Sequence, residues 1–464
     1  MRLGLRSRQI VDAMLAANGV HVDGSSPHAM IPAVIRDVEV TQPLTAVSAH
    51  RGGRRIGQIW LLVRYCTEPL GVIREPIPPG GLGPAEIGRA IGARLGQAIA
   101  ARSEAYLETC RRGGQLPPVP AAGLDMPRHS TYLAGRARAL EVAPSITVVI
   151  CTRNRPASLR RALDSLRRQD YPRFKVMVVD SAPADESTST VARSAASSME
   201  VEYLRVPEPG LARARNAAVR AARGETIAWL DDDEVVDDYW LGEIARGLID
   251  WPEADILCGS VIPAELESPA QVWFEEFGGL VKGRGFSPAE FSPNTRGTFN
   301  PLFPLPPFGA GANMVTRPGV VESAGWFDTA LGAGTPARGG EDTLFFMEVL
   351  RAGGTLVYQP SILARHYHRR DLAELRRQLM GYGVGLTAAY CALVRRHPSV
   401  VAGLGPVAVR ASRELFGRGS VRTATIGPDF PSELLRDNRR AMLSGPIAYL
   451  RGLRAAAGSE VVTD

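Results

Sequence analysis

The chain has 464 residues, 45% hydrophobic and 22% charged, which allows two or three domains with cores of their own and excludes a disordered, collagen-like or disulfide-stapled protein. Formal charge is +6, but all but two of the 54 basic residues are arginine, a skew that points to a GC-rich genome before it points to a nucleic-acid partner, and none is expected. Five scattered cysteines without a CxxC pair argue against a disulfide framework or a zinc site, and the first residues hold no apolar run long enough for a secretory signal, so a cytoplasmic protein is expected.

Residues 1–110 hold β-like runs at 34–40, 59–65 and 69–75, then a helical pattern opened by Pro84 with Ile87, Ile91, Leu95 and Ile99 on one face. A small α+β module is expected there, followed by a Gly/Pro-rich linker over 111–144. From Ile146 the pattern changes. ITVVIC, KVMVVD, VEYLRV and TIAWL read as strands, PASLRRALDSLRRQ and LARARNAAVRAA as helices, the first with Leu159, Ala162, Leu163 and Leu166 on one face. Strands alternating with helices predict an α/β fold with a mostly parallel, doubly wound sheet over 145–370, which takes its ligand beyond the carboxyl ends of the strands. Those ends carry CTRNR, DSAPAD and DDDE.

Beyond Trp240, strands are expected at 255–262, 311–317 and TLVYQP, and a helix at GGEDTLFFMEVLRAGG. The Pro/Gly/Phe-rich stretch 263–309 looks unlike a compact core; its Trp273, Phe274, Phe277, Phe286 and Phe303 are either buried or open to a ligand. A helix from Asp371 to Arg396 opens a helical C-terminal region, 371–464. The apolar stretch 379–394, flanked by Arg376, Arg377, Arg395 and Arg396, falls short of the roughly 20 residues of a spanning helix. It is either a helix packed on the α/β domain or a peripheral contact at the inner face of the plasma membrane.

Asp231, Asp232, Asp233 and Glu234 directly follow a buried strand. Such a cluster needs solvent or a cation, and a hard divalent ion, Mn or Mg, held by one or two carboxylates plus phosphates is its natural partner; the alternative is a solvated acidic turn. Asp180, Thr152, Arg153, Arg155, Arg213 and Arg215 gather on the same edge, and carboxylates mixed with guanidinium donors suit an anion bound with its metal. Glu341 and Asp342 begin an apolar helix, as a capping pair or with a general base beside an acceptor hydroxyl. His366 and His368 would project to one face of an extended segment, and Arg365, Arg369 and Arg370 around them disfavour protonation. No GxxxxGK[ST] loop occurs, no GxGxxG follows the first strand, and no GxSxG elbow follows a strand, which argues against P-loop enzymes, dinucleotide dehydrogenases and α/β-hydrolases.

Taken together, VVICTRNRPASLRRALDSL, VMVVDSAP, EPGLARARNAAVRAARGETIAWLDDDE and GGEDTLFFMEVLRAGG resemble the family 2 glycosyltransferases, inverting enzymes with a GT-A fold, over residues 145–395. The N-terminal module and HYHRRD resemble versions found in actinobacterial members. The resemblance implies that Thr152, Arg153 and Arg155 touch the nucleotide, that Asp180 binds its base or ribose, and that Arg215 and Asn216 lie beside the diphosphate. Asp231 and Asp233 would form the DxD motif, Asp233 on the metal and Asp231 on metal or ribose, with Asp232 and Glu341 completing the donor site. Asp342 would be the catalytic base, and His366, with His368 as its alternative, a metal ligand. The implied reaction is metal-dependent transfer from a nucleoside diphosphate sugar to a glycan, lipid-linked or small-molecule acceptor, in cell-envelope, glycolipid or secondary-metabolite glycosylation. The alternative on the same fold is a non-catalytic nucleotide-sugar-binding or assembly subunit.

Overall fold

The computed structural model describes residues 31–113, 116–280, 284–293, 309–416, 426–427 and 429–460; Phe303 and the start of the N-terminal module lie outside them. The N-terminal runs form β1 (Ala33–Glu39), a short hairpin of β2 (His50–Arg51) and β3 (Arg54–Arg55), β4 (Gln58–Tyr65) and β5 (Glu68–Pro76), then α1 (Pro84–Ala100) and α2 (Glu104–Gly113). Central β4 runs parallel to β1 and antiparallel to β5. Its alternation sends Ile59, Leu61 and Val63 into a core with Ile87, Ile91, Leu95 and Ile99 of α1. The opposite face is not left to solvent: Leu62 packs with Ile262, Phe286 and Leu363, and Trp60 with Leu266 and Val272, all from the α/β domain that follows.

The stretch 111–144, expected as linker, is instead a fitted strap. A Cβ on Gly88 or Gly92 of α1 would fall 2.0 Å from the Val119 carbonyl or 2.3 Å from that of Pro117, so the strap lies directly on the helix. It then forms α3 (Thr131–Val142), N-capped by Ser130. Gly/Pro content marks irregular backbone, not detachment from the core.

The α/β domain comprises β6 (Ile146–Thr152), α4 (Pro156–Leu166), β7 (Phe174–Ser181), α5 (Ser187–Ala195), β8 (Val201–Val206), α6 (Leu211–Ala221), β9 (Thr226–Asp231), β10 (Glu234–Val236), α7 (Trp240–Asp250), β11 (Ile256–Pro263), α8 (Pro269–Glu276), β12 (Ala289–Phe291), β13 (Asn313–Thr316), α9 (Val320–Ser323), α10 (Glu341–Arg351) and β14 (Leu356–His366). The strands join one nine-stranded sheet, ordered β10-β14-β11-β13-β9-β6-β7-β8, with β12 also on β14. The pairings set β6, β7, β8, β9, β11 and β14 in one direction, with β10, β12 and β13 opposed. Val148 and Ile150 of β6 face a core built on α4, α5 and α7, while Val149 faces one built on α6 and α10. The domain is thus the doubly wound α/β arrangement expected, mostly parallel. One strand differs in setting: VEYLRV becomes edge strand β8, largely open.

The stretch 263–309 holds α8 and β12, and its Trp273, Phe274 and Phe286 are buried, so the core reading of these aromatics holds where they are described. The helical C-terminal region comprises α11 (Leu372–Arg396), α12 (Val401–Phe416), α13 (Ser432–Met442) and α14 (Gly445–Glu460). Leu379, Ala388, Ala389, Ala392 and Leu393 of α11 are wholly buried, against α10 and the helices that follow. Of the two readings of 379–394, the buried residues support the packed helix. No helix among the described residues is long and apolar enough to cross a membrane.

Candidate active site

Four strands bring chemistry to one edge of the sheet: β6 ends on Thr152, β9 on Asp231, β14 on His366, and the antiparallel β13 begins there at Asn313. Thr152 Oγ1 donates to Asp232 Oδ2 at 2.7 Å, and Arg155 Nη1 donates to Asp232 Oδ1 at 3.0 Å and Asp233 Oδ2 at 3.2 Å. Arg369 Nη2 adds a bond to Asp233 Oδ2 at 3.1 Å. Arg153 stands exposed beside them. The acids answer differently to this setting. Burial pushes Asp231 up to about 6, with Asp233 and Asp232 adding to it against Arg215. Burial also raises Asp232. For Asp233 burial is outweighed by His366, Arg369 and Arg155, which hold it well below the usual carboxylate range.

Behind this row lies Arg215 of α6, 3% exposed. Its Nη2 donates to the Gly311 carbonyl at 2.9 Å and lies 3.6 Å from Asp231 Oδ1, while Nη1 meets Glu341 Oε1 at 3.3 Å. The same Gly311 donates its N–H to Asp342 Oδ2 at 3.0 Å. One residue, through the two peptide units that flank its Cα, thus ties Arg215 to Asp342, and it must be glycine: a Cβ there would fall 2.7 Å from Asp342 Cβ. Asp342 Oδ1 accepts from Thr343 N at 2.7 Å, and the side chain is only half-buried. Glu341 differs from its neighbour. It is buried, and burial, with Asp342 beside it, pushes it up to about 7 against Arg215.

The two histidines stand in series. His366 Nε2 is 3.3 Å from Asp233 Oδ1, the two Nδ1 atoms are 2.6 Å apart, and His368 Nε2 is 2.8 Å from Glu275 Oε1 of α8. Three contacts therefore link two carboxylates through two imidazoles, and two neutral imidazoles carry one N–H each. One contact is left with facing lone pairs unless a third proton or a cation fills it. The longest gap, at Asp233, is the one that opens on the acidic row. Among the described residues no three acidic, histidine or cysteine side chains already converge as a metal cage. Asp233 and His366, with Asp231 nearby, instead suit an ion that takes its remaining ligands from phosphate oxygens and water.

Two expected site residues sit elsewhere. Asn216 Nδ2 donates to the Phe327 carbonyl at 2.8 Å and its Oδ1 accepts from Phe327 N at 3.0 Å, so this amide braces a loop and is not presented to a diphosphate. Asp180 is fully covered, accepting from the Tyr203 hydroxyl at 2.8 Å; Tyr203, 37% exposed, is the group that faces outward. The residue types that favour ligand contact also favour buried bracing, and sequence does not separate them. Gly311, Arg369 and Glu275 are site residues that sequence reasoning missed. Arg369, directly after the histidines, had a local signal; the other two had none.

Fold and edge together define a doubly wound α/β domain whose strand ends gather carboxylates paired with guanidinium groups. Residues 147–324 match the family model described as glycosyl transferase family 2. Among curated proteins it is similar to the pre-mycofactocin glycosyltransferase of Mycobacterium tuberculosis, 28% identical over 262 residues, 56% of this chain and 49% of that protein. It is also similar to the poly(ribitol-phosphate) beta-N-acetylglucosaminyltransferase TarS of Staphylococcus aureus, 29% identical over 114 residues, 24% of this chain and 20% of that one. The chain thus spans about half the length of the mycobacterial relative, and less of TarS. Among solved structures, the mannosyltransferase PcManGT from Pyrobaculum calidifontis, in complex with GDP-Man and Mn2+, aligns at 18% identity and a TM-score of 0.40, covering 80% of this chain and 88% of that one.

Proposed function

We propose that the protein is an inverting glycosyltransferase that moves a sugar from a nucleoside diphosphate sugar to an acceptor hydroxyl. The observation that carries this reading is Asp342: a half-open carboxylate, fixed through Gly311 to the buried Arg215 that also meets Asp231. A base is thereby set a short way from the donor end without being part of it. In the reaction the acceptor oxygen bonds the anomeric carbon as the bond from that carbon to the diphosphate oxygen breaks. The bonding pair leaves with the diphosphate, and the acceptor proton passes to Asp342. One displacement inverts the centre. Asp233, His366 and Asp231 would hold Mn or Mg, which when bound stabilises the negative charge developing on the leaving group. Arg155 and Arg369 keep Asp233 ionised, and Arg215 lies nearest Asp231. The acceptor is a glycan, a lipid-linked sugar or a small molecule, and the name of the mycobacterial relative puts pre-mycofactocin on the panel to be tried.

The test combines binding and turnover. UDP, GDP, UDP-N-acetylglucosamine and GDP-mannose are titrated with and without Mn, and Asp342→Asn is compared with the parent in single-turnover transfer. Ion-dependent nucleotide binding is expected in both proteins, with transfer by the variant about two to four orders of magnitude slower. Near-normal transfer by Asp342→Asn would falsify the base assignment. A parent that binds none of the four ligands removes the donor-site reading.

A further inference from the structure

Helix α11 crosses the start of α10 backbone to backbone. A Cβ on Gly340 would lie 2.2 Å from the Gly385 carbonyl, and one on Gly385 2.6 Å from the Gly339 carbonyl carbon. Two glycine pairs thus bring the helix against the loop that leads into Glu341 and Asp342. Gly381 rests on Arg338 in the same contact, and the next side chain, Tyr382, turns about 100° away from it around the helix. Tyr382 is not absorbed into the core: it is 39% exposed. Its ring centroid is 6.4 Å from that of Phe274, tilted 52°. Phe274 in turn packs on both histidines, at 4.6 Å from His368 and 6.2 Å from His366. The Tyr382 hydroxyl accepts from Gln378 Nε2 at 3.1 Å.

Tyr382 therefore stands between the two ends of the site, touching Phe274 at the end where His366 faces Asp233 and carried on a helix whose glycines meet the loop into Asp342. In a displacement that runs from diphosphate to base, the sugar being transferred lies between those ends. An aromatic face left open beside it matches the apolar C–H face of a pyranose, and the adjacent hydroxyl and amide match its hydroxyl groups.

We infer that Tyr382, supported by Gln378, is the residue that contacts the transferred sugar ring and separates binding of the sugar nucleotide from binding of the nucleotide alone. The inference rests on the proposed donor site. Its test measures, on the full chain with Mn, the affinities for UDP and GDP against UDP-N-acetylglucosamine and GDP-mannose in the parent, Tyr382→Phe and Tyr382→Ala, with the acceptor KM and the melting temperature of each. The parent is expected to bind one sugar nucleotide more tightly than its nucleoside diphosphate. Tyr382→Ala should lose up to about tenfold of that preference, keep its affinity for the nucleoside diphosphate within about twofold, and melt as the parent does. Tyr382→Phe should keep most of the preference, since it keeps the ring.

An unchanged preference in Tyr382→Ala overturns the inference and leaves the donor site standing. So does a parent with no preference, or a rise confined to the acceptor KM, which would give the ring to the acceptor. Equal loss of both ligands together with melting temperature would make Tyr382 a packing residue. A parent that binds no nucleotide overturns the proposed function itself.

Discussion

A guanidinium 3% exposed is stable only where its charge is matched, and Arg215 finds Asp231, Glu341 and the Gly311 carbonyl. The match is incomplete for Glu341, whose carboxyl sits at about 7 because burial, with Asp342 beside it, outweighs Arg215. A glutamate held above its ordinary value of 4.5 binds its proton more tightly folded than unfolded. Its contribution to stability is full below that ordinary value and is lost as pH rises through about 7. Between pH values of about 5 and 8 the ion-free protein should therefore melt at falling temperature, and Glu341→Gln should flatten that slope; an identical slope in the variant refutes the assignment. Gly311 gives a second expectation. The Cβ of Gly311→Ala would press on Asp342 Cβ at 2.7 Å, so transfer should fall at least about tenfold while nucleoside diphosphate binding holds. Loss of both in equal measure would mean that the substitution disturbs the whole edge.

The strand pair β10 and β14 and helix α8 set the histidine series. Register places Glu234 opposite His366, and α8 brings Glu275 to His368 from a stretch whose composition suggested no ordered element. The sequence left His366 and His368 as alternatives. The geometry gives them different neighbours, His366 facing Asp233 and His368 facing Glu275. Burial lowers the His368 pKa, with Glu275 pulling the other way. If Glu275 accepts from His368, then His368 accepts from His366, and the His366 Nε2 lone pair is turned outward. Glu275→Gln should then weaken Mn binding, followed by electron paramagnetic resonance of the free ion, by about 10-fold or more without changing the fold. Unaltered Mn affinity would disconnect α8 from the ion.

The N-terminal module is bound to the catalytic domain by both packing and charge. Arg64 of β4 bonds Asp37 of β1 at 2.9 Å and also pairs with Asp237, just past β10, while Asp37 pairs with Arg365 of β14. The module thus grips from outside the two strands that carry Glu234 and His366. Arg136 of the strap adds a bond to the Thr67 hydroxyl at 2.8 Å and a contact with Glu243 at 3.5 Å. A shortened chain beginning at residue 144 would uncover Ile262, Phe286, Leu363, Leu266 and Val272. It should be recovered aggregated where the full chain is a soluble species by size exclusion; a monodisperse, cooperatively melting fragment would show the module to be dispensable. A gentler test is Asp37→Ala, which should lower the melting temperature by a few degrees.

How far the sequence reached depends on the range of the interaction involved. Period-two and period-3.6 patterns are local, so β6, α4, β7, α6, β9, α10 and α11 were legible, as was the edge carrying DDDE, because apolar runs buried on both faces require a parallel sheet with its polar ends together. Contacts between distant segments leave no such trace. A Gly/Pro-rich stretch reads alike whether it hangs free or straps a helix, and an apolar helix reads alike whether it meets lipid or protein. An Asn within an Arg-rich helix reads alike whether it holds a ligand or, as Asn216 does, the Phe327 backbone 111 residues away. Composition and order specified which side chains the domain has for chemistry. Chain crossings fixed their use: Gly311 between Arg215 and Asp342, Glu275 behind His368, and α11 over the α10 start. Each depends on backbones meeting at van der Waals or hydrogen-bond distance, a property of the folded arrangement that no local pattern encodes.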